Sequence, residues 1–344
     1  MILEVRALKF KTRSAASLFV VLLLSVSLSA SERIGDHFWP TPNNAFVKGR
    51  TLAHFVQPTE SGKLNSALWG CVRNNGSRFH EGIDLKATQK DSDGEPTDSV
   101  FAFDRGIVRY VNLEPRLSSY GRYIVIEHLH WSPGMVTLYA HLSAVPNAIR
   151  SGVEVAGGQP IATMGRSASY TIPRSRAHLH FEIGLWLGGE FQRWYDEQRF
   201  DDLNDHGEFN GMNIIGMDVW AILQALKRGE VANVVEYLAA EPAAVSVNHW
   251  DPQIPDLLQV NPDLMTNYVI PENHEGWRID FSASGLPLRF EALASKTRSS
   301  SRTTIQVVNE RVASSHSCLG LISGGGTPAL GAKLNGILQR LFVD

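Results

Sequence analysis

Between residues 66 and 183 the chain alternates short apolar, β-branched runs with turns that contain glycine. Runs of this length, bounded by turn residues and without a 3.6-residue apolar repeat, are typical of strands. We predict strands at 100–103, 106–111, 122–127, 136–139, 153–155, 160–164 and 179–183. This part of the chain is therefore predicted to be a β domain of short strands.

The pattern changes near residue 200, where a polar, turn-rich stretch precedes the first helical spacing of apolar residues. Asp218 begins one apolar stripe over 219–226, and Gly229 separates it from a second stripe over 231–238. This spacing predicts two short helices joined at Gly229. Farther on, we predict a hairpin formed by 277–281 and 286–292, a polar loop over 295–304 and a final amphipathic helix over 329–342.

The first thirty residues carry a basic leader, an apolar run over 15–28 and small residues around Ala30. The apolar run is short for a membrane span and fits a cleaved secretory signal, with an uncleaved signal anchor as the alternative. We predict export to the periplasm or the extracellular space, without stable membrane insertion after cleavage. The predicted organisation is a signal peptide at 1–30, a lead-in at 31–64, a β domain at 65–200 and a smaller α+β C-terminal domain at 201–344.

Composition changes this picture little. The net charge is -3 and the hydrophobic fraction is 43%, so the chain is an ordinary globular protein without the basic surface that nucleic-acid binding requires. Its two cysteines, Cys71 and Cys318, either pair in the exported protein or stay buried as free thiols. Nothing in the sequence indicates an oligomeric state.

Two short segments carry the candidate chemistry. Residues 78–84 contain His80 and Asp84, and residues 177–182 contain His178 and His180. Alternate side chains of a strand share one face, so His178 and His180 project in the same direction. Two histidines and one aspartate are the usual protein ligands of an open, catalytic zinc site. The sequence therefore indicates a zinc hydrolase.

These two segments are the first and last of six that occur in a particular order along the chain. Taken together, they resemble the lysostaphin-like family of zinc metallopeptidases, also called the LytM or duplicated-hybrid-motif type. The segments are 80–84, 96–111, 120–128, 136–143, 153–165 and 178–182. The resemblance covers about a third of the chain and implies antiparallel sheets with an open groove.

The resemblance also implies roles for particular residues. It makes His80, Asp84 and His180 the Zn²⁺ ligands, and His141 and His178 the catalytic pair. Two neutral imidazoles and one carboxylate leave zinc positively charged, so it can acidify a water molecule and polarise a carbonyl. Two histidines that titrate near neutral pH can accept and donate the protons of peptide hydrolysis. The sequence leaves open which of the two is the base.

Neighbouring residues are given supporting roles. Glu182 shares a face with His180 and is expected to orient it, while Gly82 is expected to allow a tight turn. His128 and His130 form a second His-x-His string, which we interpret as structural because no carboxylate set accompanies it. The remaining histidines are expected at the surface: His37, His54, His206, His249, His274 and His316.

Two segments depart from the family pattern. Residues 166–177 are longer than usual and carry three arginines, which we expect to border the groove and favour substrates with free carboxylates. Residues 186–195 are rich in aromatic side chains, which either border the groove or pack between the two domains.

The resemblance implies an exported zinc metalloendopeptidase that hydrolyses peptide bonds in bacterial peptidoglycan cross-links or stem peptides. Peptidoglycan peptides are then the partner and Zn²⁺ the cofactor. One alternative is a non-catalytic LytM-like scaffold that binds the cell wall or activates another hydrolase. Another is an extracellular metallopeptidase that acts on proteins.

Overall fold

A computed structural model describes residues 31–132, 134–266, 269–294, 301–324 and 328–343. The predicted signal peptide at 1–30 and residues 295–300 of the predicted polar loop lie outside these ranges. None of the helices within the described ranges combines the length and the apolar character that a membrane crossing needs.

Short strands dominate the first two thirds of the described chain. They are β1 Arg33–Ile34, β2 His37–Phe38, β3 Gly70–Arg73, β4 Arg78–His80, β5 Ile83–Lys86, β6 Ser99–Phe101, β7 Gly106–Asn112, β8 Tyr123–Glu127, β9 Met135–Ala140, β10 Glu154–Val155, β11 Pro160–Thr163, β12 His178–Trp186 and β13 Ile214–Gly216, with helix α1 Phe191–Gln198 before β13. Each of the seven predicted strands is confirmed, with ends that differ by at most a few residues.

The largest sheet contains seven antiparallel strands in the order β10-β7-β8-β9-β12-β13, with β5 paired to the same edge of β12 as β13. The nine-residue β12 is an interior strand, with β9 on one edge and β5 and β13 on the other, and residues 178–185 are all buried. Leu179, Phe181, Ile183 and Leu185 pack in the core, and they alternate along the strand with His178, His180 and Glu182, which lie on its other face.

Strand register brings the chemically interesting residues together. His180 of β12 lies opposite Asp84 of β5 on one side and Ala140 of β9 on the other. The next residue along the chain from β9 is His141. The hairpin β3–β4 carries His80, opposite Gly70. Three separate pieces of the chain therefore converge on one end of β12.

The remaining elements mix helices and strands. They are α2 Val219–Arg228, α3 Val234–Ala240, β14 Val245–His249, α4 Asp256–Val260, β15 Gly276–Phe281, β16 Pro287–Leu293, β17 Thr303–Val308, α5 Glu310–Ala313, β18 Ile322–Ser323, β19 Ala329–Leu330 and α6 Ala332–Leu341. Strands β16-β15-β14-β17 form a four-stranded antiparallel sheet. Short 3₁₀ helices occur at Leu52–His54, Leu64–Ala67, Asn74–Gly76, Arg174–Arg176, Gly207–Phe209, Gly211–Asn213, Pro262–Leu264 and Ser314–Leu319.

Local signals account for the helix pair in this region. The Asp218 carboxylate accepts a hydrogen bond from Ala221 N at 2.9 Å, which caps the start of α2. Gly229 has φ +68° and ends that helix in the left-handed conformation that glycine adopts without strain. The predicted helix pair and the hairpin β15–β16 are confirmed.

Two sequence predictions in this region are wrong at their edges. The polar loop ends earlier than expected, because Thr303 and Thr304 begin β17 and pair with β14. The final helix starts at Ala332 rather than at residue 329, because Ala329 and Leu330 pair with β18. In both cases a tertiary strand partner outweighs the local pattern.

One buried apolar cluster joins the two parts of the chain; Phe181 of β12 and Trp277 of β15 both belong to it. A disulfide between Cys71 and Cys318 also links them, which decides between the two states that the sequence left open for the cysteines. The fold is mainly antiparallel β with few helices. The boundary at residue 200, the separate C-terminal domain and the internal duplication stay predictions, and β13 pairs with β12 from beyond that boundary.

Candidate metal centre

Three buried side chains at one end of β12 place possible metal donors face to face. His80 Nε2 lies 3.0 Å from His180 Nδ1 and 3.1 Å from the Asp84 carboxylate, which in turn lies 3.0 Å from His180 Nδ1. Within the described residues, no other set of three His, Cys, Asp or Glu side chains brings its donor atoms within 4.8 Å of one another.

Hydrogen bonds fix which ring nitrogens face this centre. His80 Nδ1 donates to Leu68 O at 2.8 Å, so Nε2 keeps its lone pair for the centre. His180 uses the opposite nitrogen: Nε2 lies 2.7 Å from Glu182 Oε1, and Nδ1 faces Asp84. Two imidazole nitrogens and a carboxylate oxygen suit zinc, and the other ring nitrogen of each imidazole makes a hydrogen bond that orients the ring. The three residues fit a zinc ion.

Charge at the centre is balanced without a metal. Burial opposes protonation of His180, but its hydrogen bonds to Asp84 and Glu182 outweigh burial and raise its pKa to about 9. Burial likewise opposes ionisation of Asp84, yet the neighbouring His80, His178 and Arg73 hold its pKa well below the usual range. Burial lowers the pKa of His80, which stays neutral. Metal binding therefore displaces a proton from His180.

Glu182 and Tyr120 extend the support of His180. The Tyr120 hydroxyl donates to Glu182 Oε1 at 2.6 Å, and that oxygen also accepts the hydrogen bond from His180. Burial, reinforced by the Glu182 charge, raises the pKa of Tyr120 well above its usual value, so the hydroxyl keeps its proton as a donor. This agrees with the expected orienting role of Glu182 and adds Tyr120, which the sequence analysis missed.

Arg73 contacts two of the three donor residues. Its Nη2 lies 2.7 Å from His80 Nε2 and 2.5 Å from Asp84 Oδ2. The guanidinium thus uses the same lone pair of His80 that a metal ion requires, and it neutralises Asp84. The Arg73 guanidinium therefore supplies positive charge at the position where the three donor residues would bind a metal ion.

We expect Arg73→Ala to increase the zinc affinity of the chain by about tenfold, or ~1.4 kcal/mol. Zinc must take the His80 lone pair from the guanidinium, and the two cations repel each other at close range. Competition with a chelating dye measures the effect. Arg78→Ala is the matched control, because within the described residues Arg78 makes no hydrogen bond or ion pair with the donors, whereas Arg73 does. An unchanged or weaker zinc affinity in Arg73→Ala would contradict this account of Arg73.

His141 and His178 lie beside the donors. Their ring centroids are 4.7 Å apart, and the His141 centroid is 5.9 Å from that of His180. His141 Nδ1 donates to Ser167 O at 2.9 Å and His178 Nδ1 donates to Arg176 O at 2.7 Å, so both rings keep a free lone pair at Nε2. Burial lowers the pKa of both residues, and in the metal-free chain both are neutral.

The backbone at His141 is strained. Its φ is +62°, a left-handed conformation that non-glycine residues rarely adopt, and its N–H is pinned to Tyr120 O at 2.9 Å. Such outliers persist where the surrounding structure enforces them, often at functional sites. The strain directs the His141 ring toward His178 and His180.

A cleft of about 420 Å³ opens beside these residues. His141, His180 and Tyr120 line it, together with Arg73 and the exposed Tyr170. The five residues predicted to form the site, His80, Asp84, His141, His178 and His180, are therefore gathered at one end of a cleft. Their roles stay predictions.

The structural reason for Gly82 differs from the expected turn. Its φ is not positive, but a Cβ at this position would lie 2.3 Å from Phe181 O of the neighbouring β12. Gly82 therefore permits the close approach of β4–β5 to β12, which brings His80 to the centre.

Several other histidines were placed incorrectly by the sequence analysis. His37, His206 and His249 are buried rather than exposed. His130 is accompanied by a carboxylate after all, because its Nε2 lies 3.1 Å from Asp104, which also binds His37 at 2.8 Å. Asp104 belongs to a turn that ties β2 to the large sheet, so this cluster is structural. His128 is structural as expected, with Nδ1 2.9 Å from Arg105 O.

The two segments that depart from the family pattern behave differently. Arg166 and Arg174 both bind Glu95, at 2.7 Å each, which leaves Arg176 as the arginine of this segment that lies beside Asp84 and His178. Two of the three arginines are therefore paired within the protein, and the expected preference for substrates with free carboxylates stays a prediction. Among the aromatic residues, Phe191 and Trp194 pack against the C-terminal end of the chain, while Tyr195 also lines the cleft.

Comparison with known proteins adds an independent finding. Residues 78–191 match the sequence profile of peptidase family M23. No match was found among curated proteins.

Similar solved structures include a zinc-containing peptidase from Vibrio cholerae (30% identity over 30% of this chain and 26% of that one, TM-score 0.24). They also include a putative glycyl-glycine endopeptidase LytM from Ruminococcus gnavus (21% identity, 45% and 50% covered, TM-score 0.30). A third is a mutant catalytic domain of the prophage-encoded M23 protein EnpA from Enterococcus faecalis (23% identity, 38% and 81% covered, TM-score 0.26).

The chain spans about a quarter of the length of the Vibrio cholerae structure. TM-scores this low carry no structural argument, so the family assignment rests on the profile and on the ordered segments that it covers. The residues covered by the profile include His80, Asp84, His141, His178 and His180. Residues 78–191 of this chain are a LytM-like domain of peptidase family M23.

Proposed function

We propose that this chain is an exported zinc metalloendopeptidase that hydrolyses peptide bonds in bacterial peptidoglycan cross-links or stem peptides. One observation carries the proposal: three metal donors face one another beside two neutral histidines with free lone pairs, at the end of an open cleft. A non-catalytic protein has no need of this second pair at the donors.

His80, Asp84 and His180 would hold the zinc ion. Zinc in that position would supply Lewis acidity at the scissile carbonyl and lower the pKa of a water molecule. His141 and His178 are neutral, so either ring can take the proton of the attacking water at Nε2 and return it to the leaving amine. Tyr120 and Glu182 keep the His180 ring oriented throughout.

Export is supported by the pairing of Cys71 with Cys318. Disulfides form and persist in the periplasm and outside the cell, and they are rare in the cytosol. The pairing therefore agrees with the signal peptide predicted from the first thirty residues and with a cell-wall substrate.

A second candidate is a non-catalytic LytM-like scaffold, and Arg73 favours it. The guanidinium occupies the His80 lone pair and neutralises Asp84, so the domain is electrostatically complete without a metal. In a scaffold this arrangement would be permanent, whereas in an enzyme zinc must displace it.

Digestion of purified sacculi by the zinc-loaded mature protein distinguishes the candidates. We expect released muropeptides whose masses show cleavage of a peptide bond, loss of this release in chelator, and little cleavage of casein. Asp84→Asn serves as the matched inactive control. Intact sacculi at full zinc occupancy would favour the scaffold, and cleavage of casein alone would favour a protease that acts on proteins.

A further inference from the structure

The C-terminal part of the chain forms one wall of the cleft. Ser284 from the β15–β16 turn, Leu319 from the 3₁₀ helix Ser314–Leu319 and Lys333 from the first turn of α6 all line it. His141 and His180 line the same cleft. Residues more than 100 positions apart in the sequence therefore line the same space.

This wall is held in place by covalent and aromatic contacts. Cys318, next to Leu319, is bonded to Cys71 of β3, two residues before Arg73. The His316 ring packs on Trp69 with a centroid distance of 4.5 Å and on Phe79 with a distance of 5.8 Å. A Cβ at Gly70, whose φ is +107°, would lie 3.1 Å from this ring. The C-terminal wall is thus fixed to the hairpin that carries His80.

Most cations near the site are either paired or exposed. Arg176, which like Lys333 is partly exposed and has no ion pair among the described residues, lies in a separate recess beside Asp84 and His178, whereas Lys333 lines this cleft. Arg166 and Arg174 bind Glu95, and Arg73 binds Asp84. For Lys333, the described residues supply no hydrogen bond and no ion pair, although its side chain is only partly exposed. Burial and the nearby Arg340 lower the pKa of Lys333 to about 8, and the charge of Glu81 offsets this only in part. Among the described residues, no anion is in hydrogen-bonding contact with the ammonium group.

The charges around Lys333 limit what that anion can be. Glu81, Asp202 and Asp205 also line the cleft, so a ligand with several negative charges meets repulsion. A peptide that is otherwise neutral or zwitterionic and carries a single carboxylate could pair with the Lys333 ammonium without strong repulsion from these acidic residues. A partly desolvated ammonium–carboxylate contact is also stronger than one on the open surface.

We propose that Lys333 binds a carboxylate of the peptide substrate, so that the C-terminal part of the chain is a substrate-recognition wall of the M23 cleft. This rests on the proposed function, because it takes the ligand of the cleft to be a peptide. The proposal assigns to Lys333 the selectivity for free carboxylates that the sequence suggested for the arginines of 166–177.

The test measures binding rather than turnover. Two probes are used, a peptidoglycan stem tetrapeptide with one free carboxylate and its other carboxylates amidated, and its fully amidated counterpart, with His178→Ala as the common background so that neither probe is consumed. We expect the free acid to bind at least about tenfold more tightly than the amide, the scale of one charge-assisted hydrogen bond. Lys333→Met should abolish this preference, Lys333→Arg should retain most of it, and the exposed Lys48→Met should leave it unchanged.

The outcomes separate this proposal from the proposed function. Equal preference for the free acid in Lys333→Met and in the background protein would overturn the proposal, as would failure of the background protein to discriminate between the probes. Circular dichroism and the intact Cys71–Cys318 bond confirm that each variant is folded. If wild-type protein leaves sacculi intact but Lys333→Met loses the preference, the peptidase assignment fails and the carboxylate site stands.

Discussion

His80→Ala and Asp84→Asn are each expected to lower zinc affinity by at least about 100-fold and to abolish hydrolysis of peptidoglycan. Losing a residue that merely supports a ligand typically costs 10- to 100-fold, so losing a ligand costs more. In addition, the two remaining donors can no longer close around the ion. Wild-type protein should contain close to one zinc per chain by elemental analysis, and these variants far less after dialysis against a weak chelator.

His130→Ala is the matched control for these variants. His130 belongs to the other His-x-His string and binds Asp104 instead of the centre, so its removal should leave zinc content unchanged. Asp84→Asn preserves side-chain volume, which separates loss of metal from loss of folding. Full zinc occupancy in His80→Ala would show that the ion is held elsewhere.

His141→Ala and His178→Ala are expected to keep zinc while turnover falls by ~100-fold or more, the usual scale for losing a general acid or base. The reason is geometric: both rings lie beside the donors, and hydrogen bonds from Nδ1 to backbone carbonyls leave each Nε2 free. Initial rates on a defined cross-linked muropeptide, with zinc content measured on the same samples, give both quantities.

The strained backbone at His141 calls for an additional variant. Asparagine tolerates the left-handed conformation better than alanine, so His141→Asn separates loss of the imidazole from relaxation of the loop. Both variants should be equally slow. Loss of zinc in His178→Ala would mean that His178 and His180 exchange the roles assigned to them. The residues are near enough for this outcome to be informative, since His178 Nε2 lies 3.5 Å from Asp84.

Local sequence signals predicted most of the secondary structure. The glycine-punctuated runs marked the strands of the large sheet, and Asp218 and Gly229 marked the ends of α2 because capping is a local interaction. Prediction failed at Thr303 and Ala329, where pairing with a distant strand decides the conformation. The secondary-structure propensity of a segment does not indicate which distant strand it will pair with.

The residues of the candidate site that lie in short sequence motifs could be predicted. Alternation along β12 placed His178 and His180 on one face, and register then brought Asp84 opposite His180. No sequence motif marked Arg73. It is a single arginine seven positions before His80, and only the folding of hairpin β3–β4 brings its guanidinium into contact with His80 and Asp84. The Cys71–Cys318 bond joins residues 247 positions apart, and Lys333 lies more than 150 positions from His141 and His180, with which it lines the cleft; no spacing rule applies over such separations.

Anomalous diffraction at the zinc edge, on crystals of the zinc-saturated mature protein, tests the central claim most directly. The account predicts one strong peak bonded to His80 Nε2, Asp84 and His180 Nδ1, with the Arg73 guanidinium moved away from His80 Nε2. A peak bonded to His178 in place of His180, or Arg73 still donating to His80 in protein saturated with zinc, would contradict it.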